Sequence, residues 1–154
     1  MRAKDVMTAE VMTVGEDVAV GDAARLMHEG GHGGLPVVDG AGRLLGMIDR
    51  LSLVRLVLPK YAEDIGDLAF LPDDFEPFEE RLEEVRHMLV REVAHPCEAT
   101  VEESTPLVEV AALMVVKRAH HVPVLRDGRL VGIVGLQDVV DEIVWPHFTR
   151  SSQA

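Results

Sequence analysis

The stretch LPVVDGAGRLLGMIDRLS at Leu35–Ser52 returns, slightly shortened, as VPVLRDGRLVGIVGLQD at Val122–Asp138. Pro36 and Val37 align with Pro123 and Val124 at an offset of 87. After the turn, which is one residue shorter in the second copy, GRLLG at Gly42–Gly46 answers GRLVG at Gly128–Gly132 at an offset of 86. Working outward, the match extends from Lys4–Val54 onto Arg91–Val140, through Val6 with Val93, Glu16 with Glu103, Ala24 with Ala111, Leu26 with Leu113 and Met27 with Met114. An internal repeat of this length organises the whole chain.

Each half reads as strand, helix, strand, turn, strand, helix. Val20, Ala23, Ala24 and Met27 in the first half, and Leu107, Val110, Ala111 and Met114 in the second, recur at helical spacing and predict amphipathic helices. Thr105 as cap and Pro106 at the first helical position mark the start of the second of these. LPVV and VPVL are short apolar runs with a leading proline, which fits strands that begin at a sheet edge. The turns DGAGR and RDGR then close β-hairpins with LLGMI and LVGIV. Final helices run through Leu53, Val54 and Val57 and through Val139, Val140 and Ile143, with Pro59 and Pro146 as stops. One half of about 50 residues buries too little to stand alone, so the two halves are expected to share one core around a pseudo-twofold axis. The fold class is α/β, built from two β-α-β-β-α repeats with a helical linker. Boundaries follow at 1–58 for repeat 1, 59–87 for the linker, 88–146 for repeat 2 and 147–154 for a flexible tail.

Composition narrows the function. Of the 154 residues, 47% are apolar but only 4% aromatic, which suits a compact α/β protein. The lone cysteine, Cys97, allows no internal disulfide and no cysteine-based zinc site. The start, MRAKDVMTAE, has no apolar core of a signal peptide, and no run approaches the roughly 18 apolar residues of a membrane helix. A cytoplasmic protein without membrane insertion is the expectation. The net charge of −12 argues against nucleic acid as a partner. Ten acidic residues against Lys60, Arg81 and Arg86 put −7 of that charge between Pro59 and His87, leaving −5 elsewhere.

The order of VMT near the start, GLPVVD and HVPVLRDG in the middle, and GMIDRLS and GIVGLQD at the end resembles the CBS-domain family, as a tandem pair covering all but the linker and tail. The resemblance implies a regulatory module that binds an adenosyl compound, AMP, ADP, ATP or S-adenosylmethionine, in clefts between the repeats, with no obligatory cofactor. In the family's last motif a serine or threonine follows glycine and two apolar residues, and an aspartate stands three positions further on. The aspartate takes the ribose hydroxyls and the hydroxyl residue helps hold phosphate, in keeping with a carboxylate's acceptance of a vicinal diol and a helix amino terminus's attraction for phosphate.

Carried onto this chain, the second half keeps Asp138 but has Gly135 at the hydroxyl position. The first half has Asp49 at the hydroxyl position and Ser52 at the aspartate position. The expected site is therefore Asp138, Gly135, His120, His121, Val122, Pro123, Thr100 and Ala99. Asp49, Ser52, Gly34 and Pro36 form a degenerate second one, in which an anionic Asp49 would repel phosphate. Asp138 can instead simply serve the amino terminus of its helix, and Asp49 reads as an N-cap. His120 and His121, with Lys117 and Arg118 upstream, either hold an anion or end a solvated helix. Their counterparts, Gly33 and Gly34, carry no charge.

His28 and His32 have a helical metal spacing, but Gly30 and Gly31 break the helix between them and no third ligand follows, so no metal is expected. In the linker, Phe75, Phe78, Leu82, Val85 and Leu89 place an apolar stripe on one helix that covers the module's own flank or meets a second subunit, in keeping with the homodimers of many relatives. No matched nucleophile and base are present, so no enzyme is expected. Two readings follow: a sensor of an adenosyl ligand that signals to an unidentified regulated protein, or a ligand-independent dimerisation and protein-interaction module.

Overall fold

The computed structural model describes residues 1–64 and 68–150. In chain order its elements are α1 (Ala3–Val6), β1 (Val14–Gly15), α2 (Val20–Gly30), β2 (Gly34–Val38), β3 (Leu44–Asp49), α3 (Arg50–Val57), α4 (Tyr61–Asp64), α5 (Glu79–His87), α6 (Val90–Val93), β4 (Val101–Glu102), α7 (Leu107–Lys117), β5 (His121–Arg126), β6 (Arg129–Gly135), α8 (Leu136–Val139) and α9 (Trp145–Arg150). Two three-stranded sheets result, with orders β1-β2-β3 and β4-β5-β6.

The proline-led runs are central strands, a correction to the edge position expected of them. Pro123 stands opposite Ile133, and Ile133 gives both its amide and its carbonyl to Thr8. That makes Pro123–Ile133 a non-hydrogen-bonded pair, so the missing N–H of Pro123 faces β4, where pairing begins only at Val101 with Val124. A central proline costs the ladder nothing there. The second hairpin turns on Asp127 and Gly128, at φ 52° and 78°, the two left-handed residues of a tight primed turn. The first is one residue longer, with Gly42 at φ 80° and the Asp39 carboxylate accepting from the amides of Ala41 and Arg43 at 2.9 Å. This is the source of the one-residue change in offset.

Two apolar clusters lie within compact units of exchanged composition. One unit holds Met1–Thr13, Val38–Leu45 and Pro96–Ala154; the other holds Val14–Val37 and Gly46–His95. In the first unit Ala3 of α1 is buried with Val101, Leu107, Val110, Val122, Val124 and Val134. In the second Val90 of α6 is buried with Val14, Val20, Leu35, Val37 and Ile48. Each sheet and its helix thus close over the short leader helix that precedes the other repeat in sequence. The junctions are backbone pairs: Thr8 with Ile133, and His95 with Met47 at 2.8 and 3.0 Å.

Three further expectations change. Pro106 is the N-cap rather than the first residue of α7, because the Thr105 hydroxyl is spent on the Glu102 amide at 3.1 Å. The linker stripe is shorter than its spacing suggests, since Pro77 confines Glu76–Phe78 to a 3-10 turn and α5 begins at Glu79. Val85 of that stripe is buried, Phe75 and Leu82 are exposed, and Leu89 belongs to the start of α6. Pro146 does not stop the last helix. Val140–Val144 widens into a π-helical turn ahead of α9, which places Pro146 in the first turn of α9, where no amide donor is required of it. The tail expected from residue 147 is helical to Arg150, and 151–154 lie outside the described residues. Pro59, by contrast, does follow the end of α3 at its cap Leu58.

Candidate functional site

The register of the second sheet gathers most of the expected residues at one end. His121 pairs with Gly135, and the Leu136 amide donates to the His120 carbonyl at 2.9 Å. Gly135 is the N-cap of α8, and its amide donates to Asp138 Oδ2 at 2.7 Å. The parallel pairing of Val101 with Val124 brings the preceding residues, Ala99 and Thr100, towards the same end of the sheet as His121. His121 and Asp138 are half-buried, and His120 and Thr100 are exposed. Val122 and Pro123 are fully buried, so only their backbone is open to a ligand.

Asp138 therefore does what a third helical residue commonly does for a cap, but with one oxygen only. Among the described residues no hydrogen bond reaches Oδ1. A half-buried carboxylate with one oxygen anchored and the other open can accept from a hydroxyl pair without changing its rotamer. A side chain at Gly135 would meet nothing closer than Asp138 Oδ2, at an ordinary 3.4 Å, so the glycine there removes a donor without a steric need.

The equivalent end of the first sheet is closed on itself. Asp49 caps α3, with Oδ1 accepting from the Ser52 amide at 2.8 Å, while Ser52 Oγ accepts from the Asp49 amide at 2.8 Å. Asp49 Oδ2 lies 3.0 Å from His95 Nε2. Burial pulls the Asp49 pKa up, but the Ser52 hydrogen bonds and the neighbouring imidazole outweigh it, and the group ends below the ordinary carboxylate value. A side chain at Gly34 would be tight, with Met47 Cε, Asp49 Cβ and the Ile48 carbonyl 3.2 to 3.4 Å from where one would begin. Pro36 is buried like Pro123. Both Asp49 oxygens and the Ser52 hydroxyl thus have partners within the chain.

Sequence reasoning missed His95. Its repeat partner is Thr8, and the replacement of a threonine by an imidazole at matched positions was the available signal. His28 and His32 gain nothing in the structure: α2 ends at Gly30, and Gly31 turns left-handed at φ 66°. Among the described residues no three His, Cys, Asp or Glu side chains are placed to hold a metal, and no helix is long and apolar enough to cross a membrane.

Comparison with known proteins agrees with this arrangement. The family model described as CBS domain matches residues 3–59 and again 82–144. A CBS domain-containing protein of Dictyostelium discoideum is 32% identical over 142 residues, spanning 92% of this chain and 90% of that protein. Among solved structures, the CBS domain of a CBS domain containing membrane protein from Sphaerobacter thermophilus superposes with a TM-score of 0.72 at 26% identity, covering 94% of this chain and 88% of the other. CBSX2, solved in complex with AMP, superposes with a TM-score of 0.72 at 23% identity, covering 95% and 98%.

Proposed function

Because the chain belongs to the CBS-domain family, we propose that it is a regulatory, non-catalytic pair that binds an adenosyl ligand, AMP, ADP, ATP or S-adenosylmethionine, through its second repeat. The observation that carries this reading is Asp138, held half-buried by the Gly135 amide with Oδ1 open, beside His121 at the shared end of β5 and β6. Oδ1 accepts the ribose hydroxyls, the exposed end of α8 and the His120–His121 pair take the phosphate or carboxylate end, and backbone at Val122 and Pro123 meets the base, with Ala99 and Thr100 at the flank. That a protein of this fold has been crystallised with AMP supports the ligand class. The reading includes a cytoplasmic homodimer that reports ligand level to a partner protein, with repeat boundaries at 58, 87 and 146.

Calorimetric titration with AMP, ATP and S-adenosylmethionine tests it. One of the three is expected to bind saturably, and Asp138→Ala to weaken it about tenfold or more, since a hydrogen bond to a charged group contributes on the order of 1.5 to 3 kcal/mol. No heat and no thermal shift with any of the three would overturn the reading. The closed Asp49–Ser52–His95 set favours a second reading, a ligand-independent interaction module. It requires a partner captured equally by wild type and Asp138→Ala without added ligand.

A further inference from the structure

We infer that the cavity between the start of α2 and the end of α5 is a binding site for a small oxyanion, a phosphate or carboxylate group held between Arg25 and Arg86 with His87 in the same wall. The cavity measures about 410 Å³ and is lined by Ala19, Gly21, Asp22, Arg25, Arg86 and His87. That is within the size range of small-molecule sites. All six residues lie in one compact unit, in which α2 and α5 pack together. None of them belongs to the site proposed at Asp138.

Charge in this lining runs against the rest of the chain. The sequence has 27 acidic residues against 15 lysines and arginines, and the segment 59–87 that supplies α5 carries −7 of its −12. The cavity nevertheless gathers two arginines and a histidine against one carboxylate, Asp22. Part of this has a plain structural cause, since Arg86 and His87 stand in the last turn of α5, where cations offset the carbonyl end of a helix. Arg25 has no such cause. It lies in the middle of α2, and among the described residues its guanidinium takes part in no hydrogen bond or ion pair. Arg86 and His87 are held loosely, sharing the single carboxylate of Glu83 at 3.4 and 3.5 Å on exposed side chains. A bidentate oxyanion displaces such pairs at little cost.

The backbone supplies a further donor. Val20 gives its amide to the Met88 carbonyl, and Asp22 and Ala23 give theirs to the Ala19 carbonyl, whereas the Gly21 amide has no acceptor among the described residues. It belongs to the first turn of an eleven-residue helix, whose positive end adds to the field of the arginines. A side chain at Gly21 would be tight, beginning 3.1 Å from the Arg86 carbonyl and 3.2 Å from its Cβ, so the glycine lets the end of α5 close on α2. The second repeat lacks the set, with Val108 at the position of Gly21 and Ala112 at that of Arg25. Arg25 and Arg86 against Asp22 leave the lining at +1 with His87 neutral. A guanidinium fork takes two oxygens of one phosphate or carboxylate, and the volume leaves room beside it for the body of a small metabolite.

Heteronuclear NMR of the full chain, titrated at constant ionic strength with inorganic phosphate, ribose 5-phosphate and citrate, tests the site, with sodium chloride as the control. A saturable shift of the Gly21 amide is expected with at least one of the three, at a Kd of about 1 mM or lower. Arg25→Ala and Arg86→Ala should each weaken it about tenfold. Arg81→Ala, on the same helix but turned to the Leu56 carbonyl at 3.3 Å, should leave it unchanged. Thermal unfolding of each variant confirms that these exposed positions leave the fold intact. Binding of either phosphate compound without citrate assigns the group as phosphate, citrate alone assigns it as carboxylate, and binding of both supports the shared oxyanion. No saturable shift up to about 20 mM of any of the three, or one that chloride reproduces, overturns the site. So does binding that Arg25→Ala leaves undiminished, or a shift that Asp138→Ala abolishes.

Discussion

His95 Nε2 lies 3.0 Å from Asp49 Oδ2, joining the last residue of β3 to the segment that follows α6 in one unit. The same carboxylate caps α3 through the Ser52 amide. Its pKa lies below the ordinary value, so its contribution to stability is present above about pH 4, the unfolded carboxylate value, and is lost as pH falls through the lower folded value. Asp49→Ala should therefore cost about 1 to 2 kcal/mol at pH 7, in the range for a lost cap, and progressively less as the pH falls below 4. Urea unfolding of both proteins at pH 7 and pH 3 measures the gap. A gap as wide at pH 3 as at pH 7 would mean that the ionised carboxylate is not what matters.

Gly46 and Gly132 occupy the same repeat position but face different neighbours. A side chain at Gly46 would begin 2.5 Å from the His95 carbonyl oxygen, part of a backbone pair that cannot yield without breaking. At Gly132 it would meet the side chain of Met7, which has rotatable bonds to move through. Gly46→Ala should thus be the more damaging, about 2 to 3 kcal/mol against about 1 for Gly132→Ala, within the range for overpacking. Denaturant midpoints of the two variants decide it; equal losses would show that Met7 is as fixed as backbone.

Much of this was legible because it recurs at a constant period. The hairpins and the two long helices follow from local residue types, and the one-residue turn change announced itself as a shift in offset. The exchange of leader helices did not, because Ala3 and Val90 are single buried positions in four-residue helices too short to show a period. The central place of Pro123 was hidden for another reason: it depends on which side of the strand its missing donor faces, and that is set by Thr8, far away in sequence. The Asp49 cap could be read locally, whereas its bond to His95, 46 residues away, could not.

Cys97 is half-buried, and its thiol is pushed up to about 11, first by burial and then by the adjacent Glu98 carboxylate. Relative to the ordinary value of 9.0, that lowers the thiolate fraction about a hundredfold at any pH below 9. Labelling by a disulfide reagent at pH 8 should accordingly be at least about tenfold slower in the native protein than in urea. Absorbance stopped-flow or a slow manual time course measures it. Equal rates would place the thiol in free contact with solvent.

Gly135→Ser offers a gain rather than a loss. The position has extended backbone at φ −90° and ψ 157°, suited to an N-cap, and a side chain there begins at ordinary contact distance from Asp138 Oδ2. A serine hydroxyl could accept from the amide of Asp138, three residues on, as Asp49 Oδ1 does from Ser52 in the first repeat. Serine over glycine at a cap contributes a few tenths of a kcal/mol, so the melting temperature should rise slightly or hold. The added hydroxyl also supplies a donor at the phosphate end of the proposed site. A ligand with a phosphate should then bind several-fold more tightly, and S-adenosylmethionine should gain less, since its carboxylate carries less charge to be held. Equal gains for both would place the anionic group of the ligand elsewhere than at the start of α8.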